Sequence, residues 1–205
     1  MNLPTKEEIT ALWDKYHVPQ NIREHCKAVR DVALLIAEKL KEKEEDVNLE
    51  LVEASALLHD LVRAVNFKDI EKNLEAKEED VEFWKQMQEE YHDIDHADLA
   101  AKFLKEKYPE LAKVIKSHGV MSKSQDVSEW SWEMKILSYS DIRVVHDKIK
   151  SVDERYSDLK GRHGDFFQQL KEKTGTDYIE LIFTQIERIE KQIFDIIDIK
   201  PGDIK

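Results

Sequence analysis

Eight histidines are spread along this chain, and several share helical stripes with residues that must be buried. His59 and Asp60 sit together in the most apolar stretch of the sequence. His96 and His118 fall on the apolar faces of their segments, and His25 lies beside a stripe of Ile22, Cys26, Val29, Ala33, Ile36 and Leu40. Asp141 falls between Leu137 and Val144. A buried carboxylate is costly unless it is paired or bound to a metal. Two carboxylates and four imidazoles on apolar faces predict convergence on one or two metal ions, with the cation neutralising the carboxylates and the neutral imidazoles donating lone pairs.

The donor types restrict the ion. Imidazole and carboxylate without thiolate suit iron, manganese, zinc, nickel or cobalt. Cys26 follows His25 but points about 100° away on a helix and reads as core packing. Six ligands exceed what one catalytic ion with an open position takes, and they suit two ions bridged by a carboxylate. Asp60 is the natural bridge, because His59 beside it can bind one ion directly. His92, four residues before His96, is an alternative third ligand. His96 is preferred because it opens a stripe with Ala100 and Phe103 and because Asp95 can cap its helix. His17, His146 and His163 read as surface residues.

The segments that must position these groups read at helical period. Thr5 with Glu8 forms a capping-box signature, and Pro19 opens a second helix. Leu49–Val65 is apolar nearly all round, so it predicts a central helix. Residues 66–93 read as a partly helical excursion, either a flap over a site or a surface helix. Pro109 starts another helix, and Gly119 is expected to end it. A further helix is expected over Trp130–Asp147. Gly161 and Gly164 bracket an expected break. A last helix over Thr176–Ile197 carries Ile179, Ile182, Ile186, Ile189 and Ile193, a stripe that permits packing on the bundle or dimerisation. The expected fold is all-α, a single helical domain over residues 1–205, with a core at about 18–150 and a C-terminal helical extension at about 151–205.

Composition agrees with that reading. Only five Gly and four Pro in 205 residues leave little room for a turn-rich β fold. Four Trp, seven Phe and six Tyr argue against a disordered polyampholyte. A formal net charge of −12 disfavours nucleic acid and anionic membrane as partners. A lone cysteine fits a reducing compartment. No apolar run approaches a membrane span, and the N-terminal residues carry no signal-peptide pattern. A cytoplasmic protein is expected.

The ordered set His25, His59-Asp60, His96, His118, Asp141 resembles the HD-domain metal-dependent phosphohydrolase superfamily, named for its His…His-Asp…Asp signature on a helical bundle. His59-Asp60-Leu61-Val62-Arg63 resembles its dipeptide segment, with Arg63 where many members carry lysine, and Tyr139–Val144 resembles its final aspartate segment. Members with two extra histidines between dipeptide and last aspartate bind two ions, so the resemblance implies a dinuclear centre here. It implies hydrolysis of a phosphate ester or anhydride by a metal-activated hydroxide, with Asp60 bridging and orienting. The substrate implied is a small soluble phosphorylated molecule, a nucleotide above all. Arg63, with Arg143 as a weaker candidate, is expected to contact its phosphate. Lys116 and Lys123 are more distant candidates, and Phe83, Trp84 or Trp130 could stack on a base. The Glu-Asp pair of alarmone hydrolases and the Gly-Tyr-Pro extension of cyclic-di-GMP hydrolases are absent. A non-catalytic metal- or nucleotide-binding module and a di-iron oxygenase are the alternatives.

Overall fold

The computed structural model describes residues 1–67 and 76–205. Part of the excursion expected over 66–93 therefore lies outside the described residues. Ten helices and one two-stranded hairpin make up the described elements: α1 (Lys6–Lys15), α2 (Gln20–Glu42), α3 (Leu49–Leu58), α4 (Glu78–Tyr91), α5 (His96–Leu104), α6 (Pro109–Lys116), α7 (Val120–Lys123), α8 (Trp132–Arg143), β1 (Val144–Val145), β2 (Lys148–Ile149), α9 (Val152–Thr174) and α10 (Tyr178–Phe194). The fold is all-α, and α3 packs centrally against α2, α6 and α8. None of the described helices is long and apolar enough to cross a membrane.

Local chemistry explains most of the boundaries. Thr5 caps α1 and Glu8 closes the reciprocal bond, so the capping box forms. Asn48 Oδ1 accepts the Leu51 N–H at the start of α3, and Asp95 Oδ1 accepts that of Ala97 at the start of α5. The stripe of α2 is buried from Cys26 to Leu40. The Ile179, Ile182, Ile186, Ile189 and Ile193 stripe of α10 is buried too, against α7, α8 and α9. Burying each isoleucine is worth about 1.5–3 kcal/mol, so this face is spent inside the chain.

Four boundaries differ from the sequence reading. The helix expected to run to Val65 stops at Leu58 and gives way to tight turns and a 3₁₀ segment at Arg63–Asn66. Here Leu61, Arg63 and Val65 each donate to the carbonyl three residues back. Gly119 has φ −66° and precedes α7, so it is no left-handed terminator. A Cβ there would sit 3.2 Å from Ala97 Cβ and 3.2 Å from Asp95 Oδ1, so glycine serves the close approach to the start of α5. The expected helix over Trp130–Asp147 ends at Arg143 and turns into the hairpin, with His146 at φ +59° in its bend. Gly161 and Gly164 lie inside α9 without breaking it, and Gly175 at φ +76° ends that helix.

Candidate metal centre

Two of the histidines owe their orientation to helix ends. The last carbonyls of a helix lack main-chain donors. His59 follows the end of α3, and its Nδ1–H donates to Ala56 O at 2.8 Å. His118 follows α6, and its Nδ1–H donates to Ile115 O at 2.5 Å. Each imidazole thus bonds a helix-end carbonyl three residues back, and its Nε2 is turned outward from the helix. The His59 ring also competes for the carbonyl that the Asp60 N–H would use in a continuing helix, which accounts for the early end of α3.

The other two histidines are set by tertiary partners. His25 Nδ1–H donates to His146 O at 3.0 Å, across from α2 to the hairpin bend. His96 Nδ1–H donates to Asn66 Oδ1 at 2.8 Å, and the same oxygen accepts the His96 main-chain N–H at 3.1 Å. With an oxygen acceptor on every Nδ1, the hydrogen-bond network assigns all four rings the tautomer with a bare Nε2 lone pair.

These lone pairs converge on the carboxylates. His25 Nε2 lies 3.4 Å and His59 Nε2 3.7 Å from Asp141 Oδ1. Asp60 Oδ2 lies 3.7 Å from His59 Nε2, while Asp60 Oδ1 lies 3.2 Å from His96 Nε2 and 3.6 Å from His118 Nε2. Two groups of potential ligands result, His25–His59–Asp60 and Asp60–His96–His118, with Asp60 in both. Asp141 adjoins the first group, and its other oxygen, Oδ2, accepts from Lys123 Nζ at 2.6 Å.

The donor set fits cations. His59 Nε2 is buried with no hydrogen-bond partner. His96 Nε2 and His118 Nε2 stand 3.2 Å apart, close enough to share one cation. Burial pushes the His59 pKa down to about 4, so the ring is neutral. Burial also favours neutral His96. For His25, burial is outweighed by the Asp141 and Asp60 carboxylates, which push its pKa up. Burial would raise Asp60 and Asp141; Lys123 holds Asp141 well below the usual carboxylate range, and the positive charge that the surrounding imidazoles can carry does the same for Asp60. An ionised Asp60 whose partners are imidazoles is a site for positive charge. Cys26 supplies no ligand: burial pushes its thiol well up, and it packs in the core.

The cluster opens into a cavity of about 240 Å³. Arg63 lines it, although it arrives on the 3₁₀ segment and not one turn along a helix from His59. Its Nη1 lies 3.0 Å from His96 Nδ1. With the Nδ1 proton directed at the Asn66 oxygen, that nitrogen offers the guanidinium no lone pair, so the contact is not a hydrogen bond in this tautomer.

Arg143 requires a correction. It is 3% exposed, and it donates to Lys150 O, to Tyr139 Oη at 2.5 Å and to Pro201 O at 3.1 Å. Two residues past Asp141 on α8, it points to the opposite side and ties the helix to the C-terminal segment, so it is a brace and not a substrate contact. His92 is exposed beside Asp93 and stands outside the cluster that contains His96. Lys116 pairs with Asp98 on the surface, whereas Lys123 lines the cavity. Phe83 stacks on His17, Trp84 is buried and donates to His17 O, and Trp130 packs on the core; none of the three lines the cavity. His17 is no free surface residue, since its Nδ1 lies 2.6 Å from Asp80 Oδ1. None of the described residues of 66–93 lines the cavity; α9 and α10 contribute to its wall through Arg155, Leu159, Arg162, Phe167 and Ile182. Asn66, the His146 carbonyl and the arginines of α9 carry no motif that would single them out in the sequence.

This arrangement, a His-Asp pair at a helix end joined by three further histidines and a distal aspartate in a helical bundle, agrees with comparison to known proteins. A family model described as HD domain matches residues 22–198, and the chain belongs to that family. The match takes in all of α9 and α10. No curated protein matches. One similar solved structure is a predicted HD superfamily hydrolase involved in NAD metabolism from Clostridium acetobutylicum, with a TM-score of 0.49 at 16% identity over 91% of this chain and 99% of that one.

Proposed function

We propose that this chain is a metal-dependent phosphohydrolase acting on a phosphate ester or anhydride of a small soluble molecule, a nucleotide above all. The observation that carries the reading is the convergence of four imidazole Nε2 atoms on two buried carboxylates beside a cavity lined by cationic side chains. His25, His59, Asp141 and Asp60 Oδ2 would hold one ion, and Asp60 Oδ1, His96 and His118 a second. Divalent iron, manganese, zinc, nickel or cobalt bound there supplies a water nucleophile near neutral pH and draws charge from phosphoryl oxygens.

The chain's own residues do the rest. Asp60 sets the spacing of the two halves through its two oxygens. Lys123 anchors Asp141 by Oδ2 and leaves Oδ1 toward His25 and His59. Arg63 presents a guanidinium at the cavity wall, suited to bind and orient a phosphoryl group by paired hydrogen bonds. Asn66 and the carbonyls of Ala56, Ile115 and His146 hold the imidazole tautomers.

The test is phosphate release from a panel of nucleotides with manganese or ferrous iron, for wild type beside Asp60→Ala. Release by wild type alone, with loss of bound metal and an intact fold in Asp60→Ala, is the expected outcome. A fully metallated wild type that releases no phosphate, or an active, fully metallated Asp60→Ala, overturns the reading.

A further inference from the structure

The cavity beside the metal ligands carries further positive charge on its wall, outside the ligand set. Arg155 and Arg162, both on α9, line the cavity. They share a single carboxylate: Arg155 Nη1 donates to Asp158 Oδ2 at 2.8 Å, and Arg162 Nε donates to Asp158 Oδ1 at 2.8 Å. Two guanidinium groups against one carboxylate leave one net positive charge. The Arg155 side chain is only 15% exposed, and its Nε is buried without a hydrogen-bond partner. An ordinary surface ion pair has neither property. A half-buried guanidinium on a cavity wall, with donors that Asp158 does not take, can bind an acceptor that is not part of the chain. Asp158 holds the guanidinium plane through Nη1, so Arg155 is oriented before anything binds. Leu159, Phe167 and Ile182 beside it make that part of the wall apolar, a surface suited to the body of a ligand and not to its charged end.

We propose that Arg155, positioned by Asp158 and assisted by Arg162, binds a second anionic group of the substrate, distinct from the phosphoryl group at the metal centre. This rests on the phosphohydrolase reading for the identity of the first group. The ligand class is then a molecule with two anionic groups separated by a short spacer, a phosphoanhydride or a phosphorylated carboxylate, in preference to a simple monoester. A planar guanidinium recognises either group by the same paired hydrogen bonds.

The test is calorimetric binding to the manganese-loaded full chain of three probes that are not hydrolysed: methylenediphosphonate, phosphonoacetate and methylphosphonate. Wild type should bind one or both of the two-anion probes about tenfold more tightly than methylphosphonate. The tighter of the two identifies the second group as phosphate or carboxylate. Arg155→Ala should erase that preference while methylphosphonate affinity and manganese stoichiometry stay unchanged. Arg155→Lys keeps stem and charge but loses the fork, and should lose about threefold; it decides the matter if the alanine variant does not fold. No preference in wild type, or a preference that both folded variants retain, overturns the proposal. Because no turnover is needed, a preference that depends on Arg155 in a protein that hydrolyses nothing would sink the phosphohydrolase reading and leave the anion site standing. Hydrolysis by wild type with no such preference would do the reverse.

Discussion

Asn66 acts on the metal centre without belonging to it. Its Oδ1 takes both the main-chain and the Nδ1 protons of His96, so it fixes the ring's tautomer and direction together. Partners of this kind are typically worth about 10–100-fold in metal affinity. Asn66→Ala should therefore weaken binding of the second ion by about that factor, while the first site, supported by Ala56 O and His146 O, keeps its affinity. Manganese titration by calorimetry reads both steps. Equal affinity in the variant would show that water replaces the amide oxygen at no cost.

At the scale of elements, α4 is held to the α1–α2 turn by a compact set of contacts. His17, at φ +50°, presents Nδ1 to Asp80 and its ring to Phe83, and its carbonyl accepts the Trp84 indole N–H. Burial would raise the Asp80 pKa, but the His17 hydrogen bond and the Lys77 N–H outweigh it and lower it from its ordinary 3.8. The unfolded chain then binds this proton at higher pH than the folded one. The stabilisation is fully present above the ordinary value and is lost as pH falls through the depressed one. Asp80→Asn should lower the melting temperature near neutral pH, and the gap from wild type should close as the pH drops below about 4. A gap that stays constant with pH would assign the effect to packing instead of charge.

For the whole molecule, the C-terminal helices are part of the structure that forms the cavity and not an appendage to it. The Arg143 brace shows how they are fastened: one guanidinium joins α8 to the strand end at Lys150 and to Pro201, and Tyr139 Oη continues the chain to Glu190 on α10 at 2.6 Å. Arg143→Ala removes three hydrogen bonds, one buried and two part-buried, which should cost about 2–4 kcal/mol by denaturant unfolding. Metal stoichiometry and the KM of folded protein should not change. A raised KM with unaltered stability would return Arg143 to the substrate.

Much of the fold was legible in the chain, because a buried helix face writes its period into the sequence. The Thr5–Glu8 box, the α2 stripe and the isoleucines of α10 show this plainly. The polar interruptions of those stripes likewise marked His59, Asp60, His96, His118 and Asp141, since a titratable group on an apolar face needs a partner wherever it lies. What lay beyond the sequence was direction. His59 stops its own helix by taking a carbonyl, so the spacing to Arg63 could not be read as a helical turn. Arg143 and Arg155 are both arginines on helices near Asp141 in sequence, yet one turns into the C-terminal brace and the other onto the cavity wall. Residue type and spacing determine which groups must be buried together; which way a long cationic side chain points, and which backbone oxygen holds a given imidazole, depend on chain segments that meet only in the folded molecule.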